Sequence, residues 1–356
     1  MVALAEIPDA PSQDRRVIAR RFTVYLTVLL ACMCITSLAT GPTGTSLWGA
    51  MLKLVTGVPL TTIEQVVLFD IRMPRLMLGI AVGASLAVSG AVMQGLFRNP
   101  LADPGLVGVG AGAGLGAIIA IVLGGFLPLA LRDAMGSYLV SLAAFFGGWL
   151  STIVLYKVST RGGQTSVATM LLAGIALGAL AGAVSGVLVY MADDQQLRDL
   201  TFWGLGSLAG STWTKVLAAV PIIGVAVIAS FWLSRSLNSL ALGEATAAHL
   251  GIDVQAMKSR AILCVAAATG AAVAVSGGIG FIGIVVPHLL RLATGPDHDT
   301  LLPNAALLGA SLLLGADIIS RLIIAPSELP IGIVTAVLGA PVFLWILLRR
   351  RGFSGV

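Results

Sequence analysis

Ten apolar stretches, each near the length needed to cross a bilayer, leave this 356-residue chain little else to fold with. They lie near 22–40, 74–96, 104–126, 136–156, 167–191, 213–233, 258–276, 279–293, 301–320 and 331–348, bounded by charge, Pro or Gly. A bilayer core takes about 20 apolar residues per helical crossing. The pattern therefore predicts an all-α polytopic bundle with short connections and no room for a large soluble domain. Composition agrees: 57% of residues are hydrophobic and 10% charged, where soluble domains carry about a quarter charged and disordered chains are poor in apolar residues. Cys32, Cys34 and Cys264 all fall inside apolar runs and read as small buried hydrophobes, with no disulfide framework and no metal site.

The expected organisation is an N-terminal tail over 1–21, one transmembrane domain over 22–348 and a C-terminal tail over 349–356. The least secure boundary is the glycine-rich stretch Ser276–Gly283, since an interrupted or re-entrant helix leaves the same trace as a loop. Orientation follows from the basic residues. With the N-terminus inside, Arg15, Arg16, Arg20, Arg21, Arg98, Lys157, Arg161, Arg235, Lys258, Arg260, Arg291 and Arg349 to Arg351 lie on the cytoplasmic side. Lys53, Arg72, Arg75, Arg132, Arg198, Lys215 and Arg321 lie outside. The bias places both termini in the cytoplasm. The net charge of +5 is spread over helix ends, which argues against nucleic acid as a partner. The first apolar run lacks a small-x-small cleavage site and reads as an uncleaved span.

A four-residue echo links Ala87–Gly90 in the second span with Ala274–Gly277 in the seventh, which run in opposite directions on this topology. Inverted repeats of that kind build many transporters. The rival reading is chance, because a third copy stands at Ala183–Gly186. No catalytic constellation accompanies the spans. Asp317 is the acidic residue nearest a midplane position, and with Arg321 four residues on it reads as a local ion pair. The run Gly108–Gly116 follows no strand and reads as close helix packing, not a dinucleotide loop. Lys258-Ser259 has no preceding glycines, so no phosphate-binding loop is present. The chain reads as neither a nucleotide hydrolase nor an enzyme.

Three polar insertions remain. Arg98–Gly105 carries Pro100 and Pro104, which fix φ and stop a helix; it is a rigid turn or part of a gate. The segment 241–251 has Glu244 near its start and Gly251 at its end, and suits a short helix outside the membrane, either a connector or a surface for a partner. Arg72 and Arg75, spaced i, i+3, and Arg321 are interfacial anchors or a cationic rim for carboxylates of an external partner.

The strings Ile71–Leu76, Ser89–Gly108, Leu171–Gly178, Gly280–Arg291, Glu328–Thr335 and Leu338–Phe343, in this order, strongly resemble the FecCD family, the permease subunits of ATP-binding-cassette importers for iron chelates, heme and cobalamin. The resemblance implies a ten-helix, cobalamin-importer-like permease in the bacterial inner membrane. It would work as a homodimer, with two cytoplasmic ATPase subunits that hold ATP and Mg and a periplasmic binding protein that delivers substrate. No cofactor would be bound by the chain itself. By position, Arg72, Arg75 and Arg321 match arginines that dock the binding protein. Gly243, Glu244, Ala245, Leu250 and Gly251 match the coupling helix that meets the ATPase. Asn99, Pro100 and Leu101 match the cytoplasmic gate, and Val167 and Ala168 its second element, where small hydroxyl residues are expected. Asp199–Leu208, Asn99–Gly105 and Gly295–His298 look most like heme permeases, with ferric siderophore and cobalamin permeases as the alternative. Ion-coupled secondary transport is the remaining class, disfavoured by the lack of a midplane carboxylate or lysine.

Overall fold

The computed structural model describes residues 15–41, 44–162 and 164–351. In chain order the helices are α1 (Arg15–Ala39), α2 (Leu47–Val55), α3 (Thr62–Gln65), α4 (Met73–Leu96), α5 (Val109–Leu123), α6 (Leu129–Met135), α7 (Leu139–Ser159) and α8 (Val167–Met191). They continue as α9 (Asp194–Leu205), α10 (Trp213–Phe231), α11 (Ser234–Ala241), α12 (Glu244–His249), α13 (Val254–Ser276), α14 (Ile282–Thr294), α15 (His298–Leu322) and α16 (Ile331–Arg351). Two short strands, β1 (Thr160–Arg161) and β2 (Gln164–Thr165), pair antiparallel between α7 and α8. Among the described residues eight helical segments are long and apolar enough to cross a membrane, and α14 and α16 supply two shorter apolar helices. The polytopic all-α architecture expected from the sequence is present.

Helix α4 is the axis of the bundle, buried along most of its length against α10, α13, α14 and α15. Small residues make that position possible. A Cβ on Gly83 would lie 2.4 Å from the Gly309 carbonyl oxygen of α15, and one on Gly90 would lie 1.8 Å from that of Gly283 in α14. Backbones this close exclude any side chain at the crossing. The glycine run in α5 works the same way: Gly112 and Gly116 meet Gly147 and Ala143 of α7, where added Cβ atoms would sit 2.3 and 2.1 Å from backbone oxygens.

Several boundaries differ from expectation. The second span opens at Thr62, through a π-helical stretch over Val66–Arg72, not at residue 74. The segment 241–251 is not one helix: α11 ends at Ala241 and α12 covers only Glu244–His249, between Gly243 at φ 113 and Gly251 at φ 84. The Ser276–Gly283 stretch is a true break, unwound between α13 and α14, with Phe281 at φ 70. The echoed tetrapeptide accordingly has two fates, lying inside α4 in one copy and ending α13 in the other. The connection after α8 is largely helix α9, capped reciprocally by Asp193 and Gln196. Its end meets two other helix ends, Ser207 N donating to Ser276 O at 2.7 Å and Ile331 N to Gly206 O at 3.0 Å. None of the three cysteines is buried within the protein; Cys32 is exposed on the face of α1 that lipid would cover. The assigned tails lie outside the described residues at 1–14 and 352–356, and α1 and α16 extend into the remainder of each.

Candidate functional site

Polar residues gather at the two ends of α4. At its start, all three arginines of the expected rim are interior: Arg72, Arg75 and Arg321 are 4%, 5% and 4% exposed. Arg75 Nε donates to Asp317 Oδ1 at 2.9 Å and Arg75 Nη1 to Glu328 Oε1 at 2.8 Å. Arg321 Nη2 pairs with the same Asp317 at 3.1 Å, the i, i+4 ion pair read from the sequence. Asp317, 1% exposed, is thus held between two guanidiniums, the arrangement that makes a buried carboxylate tolerable.

The other arginine contacts go to the C-terminal end of α1. Arg321 Nη1 donates to Ser37 O and Thr40 O at 3.3 and 3.1 Å, and Arg72 Nη1 to Leu38 O at 2.5 Å and Thr45 O at 3.3 Å. The last carbonyls of a helix have no partners within it, and cations there also favour the dipole. Arg72 and Arg75 thus have different direct partners, and Arg321, which reaches both Asp317 and the end of α1, joins them into one cluster. Within the single chain these three side chains form a buried network that fastens α1, α4 and α15 together.

At the other end of α4 the chain turns through Arg98–Asp103. Arg98 adopts φ 47, a region costly for a side chain with a Cβ. Asn99 Oδ1 accepts from Leu101 N at 3.0 Å and Asp103 Oδ1 from Gly105 N at 2.7 Å, so Pro100 and Leu101 sit in a turn stapled at both ends. Burial pushes the Asp103 carboxyl above the usual range, more than the Gly105 N–H lowers it. Next to this turn, α8 begins at Val167 and Ala168. Their side chains carry no hydroxyl; the hydroxyls here belong to Thr165, Ser166 and Thr169. Ser166 is the N-cap, accepting from Thr169 N at 3.3 Å. Thr165 and Ser166 thus precede the pair assigned from the resemblance, and Thr169 follows it.

Helix α12 occupies the same end. Glu244 is half-exposed and reaches Lys258 at 2.8 Å; Lys258, 3% exposed, also donates to Thr165 O at 3.1 Å. Gly243 is the N-cap and Leu250 the C-cap, with Leu250 exposed and Ala245 on the open side. Helix α11 holds this unit against α15: Asn238 Nδ2 donates to Asp297 Oδ1 at 2.8 Å, His298 N to Asn238 Oδ1 at 2.9 Å, and Ser234 Oγ bonds Asp299. Sequence reasoning missed Lys258 and Thr165 as members of this cluster, since neither stands in a recognisable motif. Among the described residues no group of three or more His, Cys, Asp or Glu is placed to hold a metal ion.

The sequence profile of the FecCD transport family matches residues 28–349. The chain is 48% identical over 282 residues to a hemin transport system permease protein of Yersinia pestis, covering 79% of this chain and 83% of that one. It is 41% identical over 344 residues to a vitamin B12 import system permease protein of Klebsiella pneumoniae, covering 96% of each. A solved structure of a metal-chelate type ABC transporter in an inward-facing conformation superposes with a TM-score of 0.80 at 31% identity, over 93% of this chain and 99% of that one.

Proposed function

The chain belongs to the FecCD transport family, the membrane-spanning permease subunit of an ATP-binding-cassette importer, and on that premise we propose that its cargo is heme. The observation that carries the choice is the 48% identity to a hemin permease. A second reading, cobalamin, draws on the 41% match that spans 96% of both chains. The apolar character of α8 supports a flat, greasy cargo. Leu172, Ile175, Leu180 and Val187 project from it uncovered, and Gly178, Gly182 and Gly186 open onto space. Over this stretch a surface of Leu, Ile, Val and Gly offers no axial ligand that would trap iron; Tyr190 and Met191 stand exposed beyond it, at the end of the helix.

A helix this bare in a single chain also supports a second copy of the subunit, with α8 facing the path between them. The remaining assembly follows the family. ATP and Mg reside on two ATPase subunits in the cytoplasm, which receive α12 through Glu244, Ala245 and Leu250; Gly243 and Gly251 set its ends. A periplasmic binding protein delivers cargo at the opposite end, near Arg72, Arg75 and Arg321. Because Asp317 and Glu328 already hold Arg75, docking carboxylates would exchange with these internal partners. Asn99, Pro100 and Leu101, with the start of α8 at Val167 and Ala168, form the gate. Both termini are cytoplasmic in the inner membrane, and alternating access moves the cargo.

The test is reconstitution of the permease with its ATPase subunits and binding protein, offering hemin, a ferric siderophore and cobalamin in turn. Hemin is expected to stimulate ATP hydrolysis most. Stimulation by cobalamin alone would transfer the assignment to the second reading.

A further inference from the structure

The peptide just before α8 is gripped from both sides by the first turn and a half of α13. Thr165 N–H donates to Gln255 Oε1 at 2.8 Å, and Thr165 C=O accepts from Lys258 Nζ at 3.1 Å. One turn on, Ser259 Oγ and Tyr156 Oη lie 2.6 Å apart, tying the end of α7 to the same helix. The β1–β2 hairpin is closed by the pairing of Thr160 with Thr165 and by Ser166 N donating to Ser159 O at 2.9 Å. The entry to α8 therefore has its own anchor, and Lys258 is the cationic part of it.

Lys258 is buried, and a buried ammonium needs a carboxylate. The partner comes from outside the anchor. Glu244 of α12 meets Lys258 Nζ through Oε1 at 2.8 Å and Oε2 at 2.9 Å. Since α12 is a six-residue rod between left-handed glycines at 243 and 251, it can tilt as a unit, and its only charged grip on the interior among the described residues is this pair.

We propose that Lys258 is a positioning residue linking α12 to the entry of α8, so that displacement of α12 is transmitted through Glu244 and Lys258 to the Thr165–Ser166 peptide. This rests on the reading of α12 as the segment that meets the ATPase. One ammonium donates both to the carboxylate of the moving helix and to the carbonyl of the fixed hairpin. Withdrawing the carboxylate leaves the lysine buried with one neutral acceptor, so α12 and the start of α8 are energetically coupled.

The test uses the full complex of permease, ATPase subunits and binding protein in proteoliposomes supplied with hemin on the side of the binding protein. Uptake and ATP hydrolysis are measured together, and the readout is ATP hydrolysed per substrate moved. Lys258→Met, which keeps the aliphatic stem, is expected to raise that ratio about fivefold or more, while Lys258→Arg restores it toward wild type. If Lys258→Met fails to assemble, Glu244→Gln carries the test, with the same rise expected. An unchanged ratio, or uptake and hydrolysis falling in proportion, overturns the proposal, because either marks a merely structural lysine. Wild-type uptake that needs no ATPase would instead remove the functional reading and the linkage with it.

Discussion

Asp317 is the residue on which the α2 end of the bundle turns. Two guanidiniums converge on it, and both arginines also bond partners on other segments. Removing one member of a buried pair costs about 3–5 kcal/mol, so Arg75→Ala should lower the unfolding temperature of the detergent-solubilised protein sharply. Arg72→Ala, which removes donors to neutral carbonyls and breaks no ion pair with Asp317, should cost less, about 1 kcal/mol. Equal effects would refute this division of roles. At the other end, Asp103 is raised by burial. A raised acid pKa means the folded state favours the protonated form, so its contribution is complete at low pH and is lost as pH rises through the folded value. Asp103→Asn keeps the acceptor for Gly105 N without the charge. It should therefore raise the unfolding temperature at pH 7, with the gain shrinking as pH falls through the carboxylate range. The i, i+4 pairing of Asp317 with Arg321 was legible because both sit on one helix. The capping of α1 by Arg72 was not, because its acceptors are 27 and 34 residues away.

Among the elements, the long helices were legible because an apolar run of about 20 residues has no other stable solution in a bilayer. Of the short ones only the helix beginning at Glu244 was read, although signals existed for others. Thr61 with Glu64 and Asp193 with Gln196 are reciprocal caps, and each marks a helix start missed in the reading of loops. The β1–β2 hairpin left no signal, since two-residue strands have no periodicity. Lys258, 93 residues from Thr165, could be joined to it only in three dimensions. The glycine run of α5 was read correctly as a packing surface, and the glycine crossing of the same kind between α4 and α15 can be tested. Gly83→Val would force a side chain into the Gly309 backbone. Overpacking of this kind costs about 1–3 kcal/mol or more, and should appear as lost thermal stability and poor assembly. By contrast Gly110→Ala, with open space at its Cβ position, should be neutral.

For the molecule as a whole, the order of events is written in which helices are tied down. The central helix α4 is buried among its neighbours, whereas α8 is uncovered and α12 is held by one charged pair. A stable frame with a bare helix and a small lever suits a conduit moved from outside. Glu244→Arg, which places two cations together at Lys258, should therefore abolish cargo-stimulated ATP hydrolysis while the folded permease still assembles in membranes. The most direct measurement is hemin accumulation in proteoliposomes containing the permease alone or with its ATPase subunits, binding protein and ATP. Accumulation above the external concentration only in the complete, fuelled system is the expected result; uphill uptake by the permease alone, driven by a proton or sodium gradient, would contradict the account.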